Sequence, residues 1–426
     1  MKNENKLIRF SNGLRLVLVP NASVHSVAVG VFVGSGVFVE TREQNGISHF
    51  IEHMLFKGTT TRSAYDIVHE FDSLGAYFNA ATGKEYTKFY FRSLDENAEK
   101  CIELLSDMYF NSTFDKEEFE RERKVIFEEI DESEDDPYDV CAEAATTEML
   151  KGSPFEMPVL GTKESLKRLT SEDLKRYHDE KYVANNTLIA ISGNMTEERA
   201  VELLDKYFNA NFDGRSFAVK EAKSAPLHSN FESIDKKIEQ AHIMISFPGI
   251  DYCDERNVAL NLLSCIFSSE MSSRLFQTVR EKLGLCYTID GYGTSYDHNG
   301  FYTIYTSTNK ASVEKAVKAI RREVDLLVKD GITDAELSLA KQKYKTALVF
   351  GQESTNSLMN LFGRYAFLKG ELFDMDKRLH DVDAVTKDDI LALARDIFVT
   401  SDVVATMVSD GLKVDVLDVY LNAAKD

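Results

Sequence analysis

The stretch Leu169-Thr-Ser-Glu-Asp-Leu174 returns 216 positions later as Val385-Thr-Lys-Asp-Asp-Ile390, and that return decides how the 426-residue chain is organised. The same offset lays Tyr182-Val183 on Phe398-Val399 and the apolar run Leu188-Ile-Ala on Val404-Ala-Thr. At an offset of 218, Phe114-Asp-Lys-Glu-Glu118 meets Ile332-Thr-Asp-Ala-Glu336, and Val27 to Gly36 corresponds loosely to Ala241 to Gly249. Thr-x-x-Asp ahead of an apolar helix is a common capping pattern and can recur by accident, but ordered matches at a nearly constant offset point to a duplicated unit. In the first copy, 16–20, 26–34, 76–80, 86–92 and 187–192 read as strands, with long amphipathic helices between them. The fold class that follows is α+β: two homologous domains, each a mixed or antiparallel sheet packed by helices. The stretch from Asn211 to Pro226 has little periodicity, which sets domains at 1–213 and 234–426 with 214–233 as the linker.

Composition removes several classes of function. With 50 Lys and Arg against 70 Asp and Glu, the net charge of −20 gives no general attraction to phosphate backbones or anionic lipid, so neither nucleic acid nor membrane is an expected partner. Leu16 to Val39 lacks charged side chains and imitates a membrane span, but Pro20, its glycines and its alternating valines read as two strands. Five scattered cysteines with no Cys-x-x-Cys pair read as free thiols of a reducing compartment. The charged start Met1-Lys-Asn-Glu-Asn-Lys has no apolar stretch of a signal peptide, and the expectation is a soluble, cytoplasmic protein.

The chemistry concentrates in His49-Phe-Ile-Glu-His53. On a helix the two histidines lie one turn apart on one face, the spacing that lets two imidazoles hold one metal ion. Glu52 projects about 60° from His49 on the same side, within reach of a metal-bound water. This is the inverted form of the His-Glu-x-x-His zinc motif. Phe50, Ile51, Met54 and Leu55 surround the polar trio, and burying it among them is costly unless it coordinates something. A catalytic zinc needs a third protein ligand, and the run from Phe119 to Ile130 supplies candidates. Glu122 and Glu129 are seven apart on one helical face, and Val125, Ile126 and Ile130 give that helix an apolar stripe to bury. Other patterns fail: Gly46-Ile-Ser48-His-Phe50 breaks Gly-x-Ser-x-Gly, and Gly34-Ser-Gly36 and Gly291-Tyr-Gly293 lack the third glycine of a dinucleotide fingerprint.

His49-x-x-Glu52-His53 followed by Glu129 in Glu-Arg-Lys-Val-Ile-Phe-Glu-Glu resembles the pitrilysin-type (M16) zinc peptidases, in particular the branch of processing peptidase β and its bacterial two-domain relatives. Gly75-Ala-Tyr-Phe-Asn-Ala-Ala-Thr82 resembles that family's substrate-pairing edge strand, and Met271-Ser-Ser-Arg-Leu-Phe through Arg280-Glu-Lys-Leu-Gly-Leu-Cys-Tyr287 its second-domain signature. The resemblance implies the processing-peptidase (LuxS-like) metallohydrolase fold and a zinc endopeptidase. It implies Zn²⁺ held by His49, His53 and Glu129, with Glu52 as general base and Glu122 just behind the ligands. Glu128 is the alternative third ligand. Substrate would pair with Tyr77, Phe78, Asn79 and Ala80, and Arg280 and Tyr287 would contact it from the second domain. Arg274 to Glu281 reads as a helix ending at Leu283-Gly284, with Tyr287 opening the next strand. At an offset of 213, His49, Glu52 and His53 fall on Leu262, Cys265 and Ile266, and at 218 Glu129 falls on Ala347, so the second domain reads as an inactive copy that closes the chamber. A homodimer acting on peptides or unfolded segments is expected. The competing reading is a non-catalytic scaffold or regulatory subunit.

Overall fold

The structure, a computed structural model, describes residues 4–218 and 222–423. The chain begins with strands β1 (Lys6–Arg9), β2 (Arg15–Pro20) and β3 (Ser26–Val33), then helices α1 (Ile47–Met54) and α2 (Ala64–Ser73). Strands β4 (Tyr77–Thr82) and β5 (Thr87–Leu94) precede α3 (Ala98–Asn111), α4 (Lys116–Asp135), α5 (Pro137–Met149), α6 (Lys163–Arg168) and α7 (Ser171–Lys181). Strand β6 (Thr187–Gly193) and α8 (Glu197–Tyr207) follow. The second half holds β7 (Asn230–Asp235), β8 (Gln240–Pro248), α9 (Asn257–Phe267), β9 (Thr288–Tyr296) and β10 (Asn299–Asn309). After these come α10 (Val313–Asp330), α11 (Asp334–Gly351), α12 (Thr355–Lys369), α13 (Met375–Ala384), α14 (Lys387–Phe398), β11 (Val404–Ser409) and α15 (Val416–Asn422).

The two sheets repeat one plan. The first is ordered β1-β2-β6-β3-β5-β4 and the second β7-β11-β8-β10-β9. β2 pairs with β6 in parallel as β7 pairs with β11, and every other neighbouring pair is antiparallel in both sheets. Thr170 and Thr386, aligned by the 216-residue offset, cap α7 and α14 with the same reciprocal bonds to Asp173 and Asp389. β6 is buried at every residue, which is why Thr187-Leu-Ile-Ala-Ile-Ser-Gly reads as a continuous run rather than an alternation. β4, at the sheet edge, alternates exposed and half-buried residues.

The compact units do not follow the domain limits 1–213 and 234–426. The first takes the described residues of Met1–Asp131, Met157–Glu221 and Val349–Phe373; the second takes those of Glu132–Glu156, Ala222–Leu348 and Asp374–Asp426. Helix α12, from the second half of the sequence, lies on β2, β3 and β6, and α5, from the first half, lies on β8 and β11. The reason is steric and apolar. A Cβ on Gly363 of α12 would stand 2.5 Å from the Phe32 ring and 2.8 Å from Ala190 Cβ, so only glycine lets the helix seat this closely. On α5, Cys141 is fully buried with Ala145 against Met244, Tyr305 and Val408. Each sheet needs a second apolar cover, and the helix that fits lies beyond the sequence boundary. Among the described residues of 212–229 there is no strand and no helix beginning there; 219–221 of the expected linker lie outside the described residues.

In the second unit, Arg274 of the Met271-to-Phe276 stretch has a structural part. Its guanidinium grips Glu336 at 2.6 and 2.8 Å and donates to Gly331 O at 2.9 Å, while Glu336 closes a capping box with Thr333 at the start of α11. Burial alone would push the Glu336 carboxyl up, but the bonds from Arg274 and Thr333 outweigh it and hold it down at about 2, against 4.5 ordinarily. Because the folded value is depressed, this stabilisation is complete above the unfolded value and is lost as pH falls toward the folded one. Glu336→Gln should melt lower at pH 7, by ~2–4 °C for each kcal/mol removed. The gap to wild type should close between pH 4.5 and 2; a gap that stays constant across that range in near-UV circular dichroism melts would refute the assignment.

Candidate metal centre and its surroundings

Helix α1 is driven into the first unit's core by Ile47, Phe50, Ile51 and Met54, all at most 1% exposed. Its start has no side-chain cap of its own, because the capping position is Gly46 at φ +90°. A Cβ there would lie 2.8 Å from Leu160 O. The cap comes from Glu40, whose carboxylate accepts from the N–H groups of Gly46 and Ser48 and from the Asn45 amide, at 2.9 to 3.0 Å. Sequence reasoning missed Glu40, since no motif spacing marks a cap delivered from outside the helix.

Helix α4 docks on α1 through Phe119, which stacks on Phe50 with ring centroids 4.5 Å apart. Its buried stripe is Phe119, Glu122, Ile126 and Ile130. The expectation that Val125 belongs to this stripe is corrected: Val125 is 43% exposed, one helical step off the buried face. The stripe turns Glu122 and Glu129 toward the histidines and leaves Glu128 exposed.

Three donor atoms converge. His49 Nε2 lies 3.7 Å and His53 Nε2 3.5 Å from the same Glu129 oxygen, and the three candidate ligand atoms all lie within 4.8 Å of one another. Ligands about 2.0–2.1 Å from a tetrahedral zinc stand about 3.3–3.4 Å apart, so the donor set and its spacing fit that ion. Behind His53, its Nδ1 contacts Glu122 at 3.1 Å, and Lys57 contacts the other Glu122 oxygen at 2.8 Å. That contact fixes the ring and leaves Nε2 as the donor. Glu52 meets the hydroxyl of Thr82 at 2.5 Å.

The electrostatics divide the two histidines. Burial, then the neighbouring His53, pulls His49 down, so it is neutral at pH 7. Burial works against a proton on His53 too, but Glu122 and Glu129 outweigh it and hold its value up. The bond to His53 leads in holding the Glu129 carboxyl down, whereas burial leads in pushing Glu52 up against the pull of Thr82. A divalent cation can replace the His53 proton and satisfy the same carboxylates.

Tyr77, Phe78, Asn79 and Ala80 form most of β4, with Tyr77 and Asn79 exposed and Phe78 stacked on Phe71 at 4.3 Å. Arg280 and Tyr287 belong to the second unit. The expected helix there is π-helical from Phe276 to Lys282, and β9 starts at Thr288, one residue after Tyr287. Across the turn at Gly284, the Arg280 guanidinium sits 4.5 Å from the Phe276 ring centroid and 5.2 Å from that of Tyr287, so the pair does converge. The counterparts of the motif in α9, Leu262 and Ile266, are buried in the second unit's core, with Cys265 packed against it. Among the described residues His49, His53 and Glu129 form the one group of this kind.

From this geometry, Glu129→Gln should lower zinc affinity well beyond Glu128→Gln, and Glu122→Gln should lower it ~10–100-fold while still binding some metal. Equal zinc content of the Glu128 and Glu129 variants at limiting metal would sink the ligand assignment.

Residues 15–163 match the family described as Insulinase (Peptidase family M16), and residues 168–344 match Peptidase M16 inactive domain. A protein of Bacillus subtilis named Uncharacterized zinc protease YmxG is 37% identical over 93% of this chain and 96% of its own length. An Uncharacterized zinc protease of Rickettsia felis is 34% identical over 93% of this chain and 96% of its own. In fold, the chain is similar to a peptidase M16 inactive domain structure from Pseudomonas fluorescens, with TM-score 0.89 and 19% identity over 96% of this chain and 98% of that one. It is equally similar to a protease from Helicobacter pylori, with TM-score 0.89 and 20% identity over 95% of this chain and 99% of that one. On the strength of these matches along nearly its whole length, the chain belongs to peptidase family M16.

Proposed function

We propose that this protein is a zinc-dependent endopeptidase acting on peptides and unstructured protein segments. The observation that carries the reading is the convergence of His49 Nε2, His53 Nε2 and Glu129 on one point, with Glu52 beside them. Bound zinc would act as a Lewis acid on the scissile carbonyl and lower the pKa of a water toward ~7. The other parts of the reaction fall to the chain's own residues. The free edge of β4, along Tyr77, Phe78, Asn79 and Ala80, takes the substrate as an added strand. Glu52 accepts the proton of the attacking water and returns it to the leaving amine. Arg280 and Tyr287 donate hydrogen bonds to the substrate carbonyl oxygen as negative charge develops.

A non-catalytic scaffold or regulatory subunit is the competing reading. It suits a chain that has lost its metal residues, whereas His49, Glu52, His53 and Glu129 are all present. No helix among the described residues is long and apolar enough to cross a membrane. We assign the protein to the cytoplasm on the scattered cysteines of its sequence, none of them in a Cys-x-x-Cys pair.

Metal analysis and digestion of a mixed peptide library test the reading. Glu52→Gln should keep zinc and lose cleavage. Tyr287→Phe and Arg280→Ala should keep zinc and the fold while kcat drops ~10²–10³-fold. Absence of cleavage by zinc-loaded wild type would favour the scaffold, and near-wild-type kcat/KM in both second-unit variants would remove Arg280 and Tyr287 from the chemistry. We include a homodimer in the proposal, a closed two-fold pair being the commonest assembly. A fully active 48.1 kDa monomer in light scattering at micromolar concentration would exclude it.

A further inference from the structure

Thr82 ends the edge strand β4 and is the hydrogen-bond partner of Glu52. Its side chain shares the inward face of the strand with Phe78 and Ala80, since alternate residues of a strand point the same way. Phe78 locks that face: it stacks on Phe71 at 4.3 Å and on Phe56, just past α1, at 5.8 Å. The position of Thr82 is therefore set by the core and not by a mobile loop.

A threonine hydroxyl has one proton to give, and two acceptors lie within reach. Thr82 Oγ1 is 2.5 Å from Glu52 Oε2 and 3.2 Å from Thr87 Oγ1. Thr87 is fully buried and spends its own proton on Ser35 O at 2.7 Å. The shorter distance and the carboxylate's charge both direct the Thr82 proton to Glu52. Besides the Thr82 hydroxyl, the Thr82 backbone N–H and the charges of His53 and Glu129 act on the Glu52 carboxyl, which also interacts with Tyr90 and Tyr182.

We propose that Thr82 is a positioning residue that aims the Glu52 carboxylate, so that the strand offered to substrate also sets the direction of the base. Pinning Oε2 stops the carboxylate from rotating about its last side-chain bond and presents it in one orientation. The inference rests on the endopeptidase reading. A positioning hydroxyl acts on the chemical step, whereas a residue that only shaped β4 would act on substrate binding.

The test uses zinc-loaded full-length protein and one peptide that wild type cleaves from the mixed library. Thr82→Val, which keeps the shape and removes the hydroxyl, should retain zinc and melting temperature and lower kcat ~10–100-fold with KM changed less than about twofold. Thr82→Ser should restore kcat to within about threefold of wild type. Unchanged kcat in Thr82→Val, a change confined to KM, or failure of Thr82→Ser to rescue would each overturn the proposal. Infrared difference spectra of protein carrying ¹³C-labelled glutamate carboxylates supply a readout that needs no turnover. Thr82→Val should shift the band that disappears in Glu52→Gln, and no shift overturns the contact itself. If wild type cleaves nothing while that band does shift, the endopeptidase reading fails and the contact between Thr82 and Glu52 stands.

Discussion

The first unit depends on solving one problem: three polar side chains ride on a helix whose other face is dry. Phe50, Ile51 and Met54 commit α1 to the core, and they bring His49, Glu52 and His53 with them. Removing such groups from water without partners costs several kcal/mol each. The partners arrive from two directions, carboxylates from α4 and a hydroxyl from β4. Phe119 on Phe50 and Phe78 on Phe71 are the apolar contacts that deliver them. Polar convergence and apolar packing are therefore one arrangement, and Glu40 secures it by tying down the start of α1.

The second unit shows the same plan without that problem. Where α1 carries imidazoles, α9 carries Leu262 and Ile266 buried against other apolar side chains. No carboxylate has to be brought to this helix, and Ala347 stands in α11 where the first copy has Glu129. The comparison separates what the fold needs, a buried helix against the sheet, from what the polar cluster of the candidate metal centre adds to it. A polar helix kept where an apolar one suffices is the pattern of a site retained for function at some expense of stability.

Much of this was legible in the sequence, and for definable reasons. Strand periodicity locates β2, β3, β5 and β6, and the Thr-x-x-Asp repeat locates two capped helices, because both signals are local. The seven-residue spacing of Glu122 and Glu129 gives their common face, and Gly284 gives the turn that lets Arg280 and Tyr287 meet. Val125 falls outside the buried stripe because its neighbours form an apolar run that helical phase divides. Glu40 escapes the sequence because its partners are set by tertiary approach, and Thr82 because the pattern from Gly75 to Thr82 marks an edge strand and not what its inward face meets. An amphipathic helix declares that it must cover something but not which sheet, so α5 and α12 could not be assigned from their own residues.

That mutual loan of helices bears on how the protein is made. During synthesis β2, β3 and β6 are all available once residue 193 has emerged, yet Met359 and Gly363, which close their second face, come more than 160 residues later. The first sheet must wait with an apolar surface open, the condition under which chains are most prone to aggregate. The pairing of distant segments also raises contact order, which slows folding. Cutting the chain in the expected linker would strand each cover helix on the wrong fragment, so the two pieces would regain their native cores only by recombining.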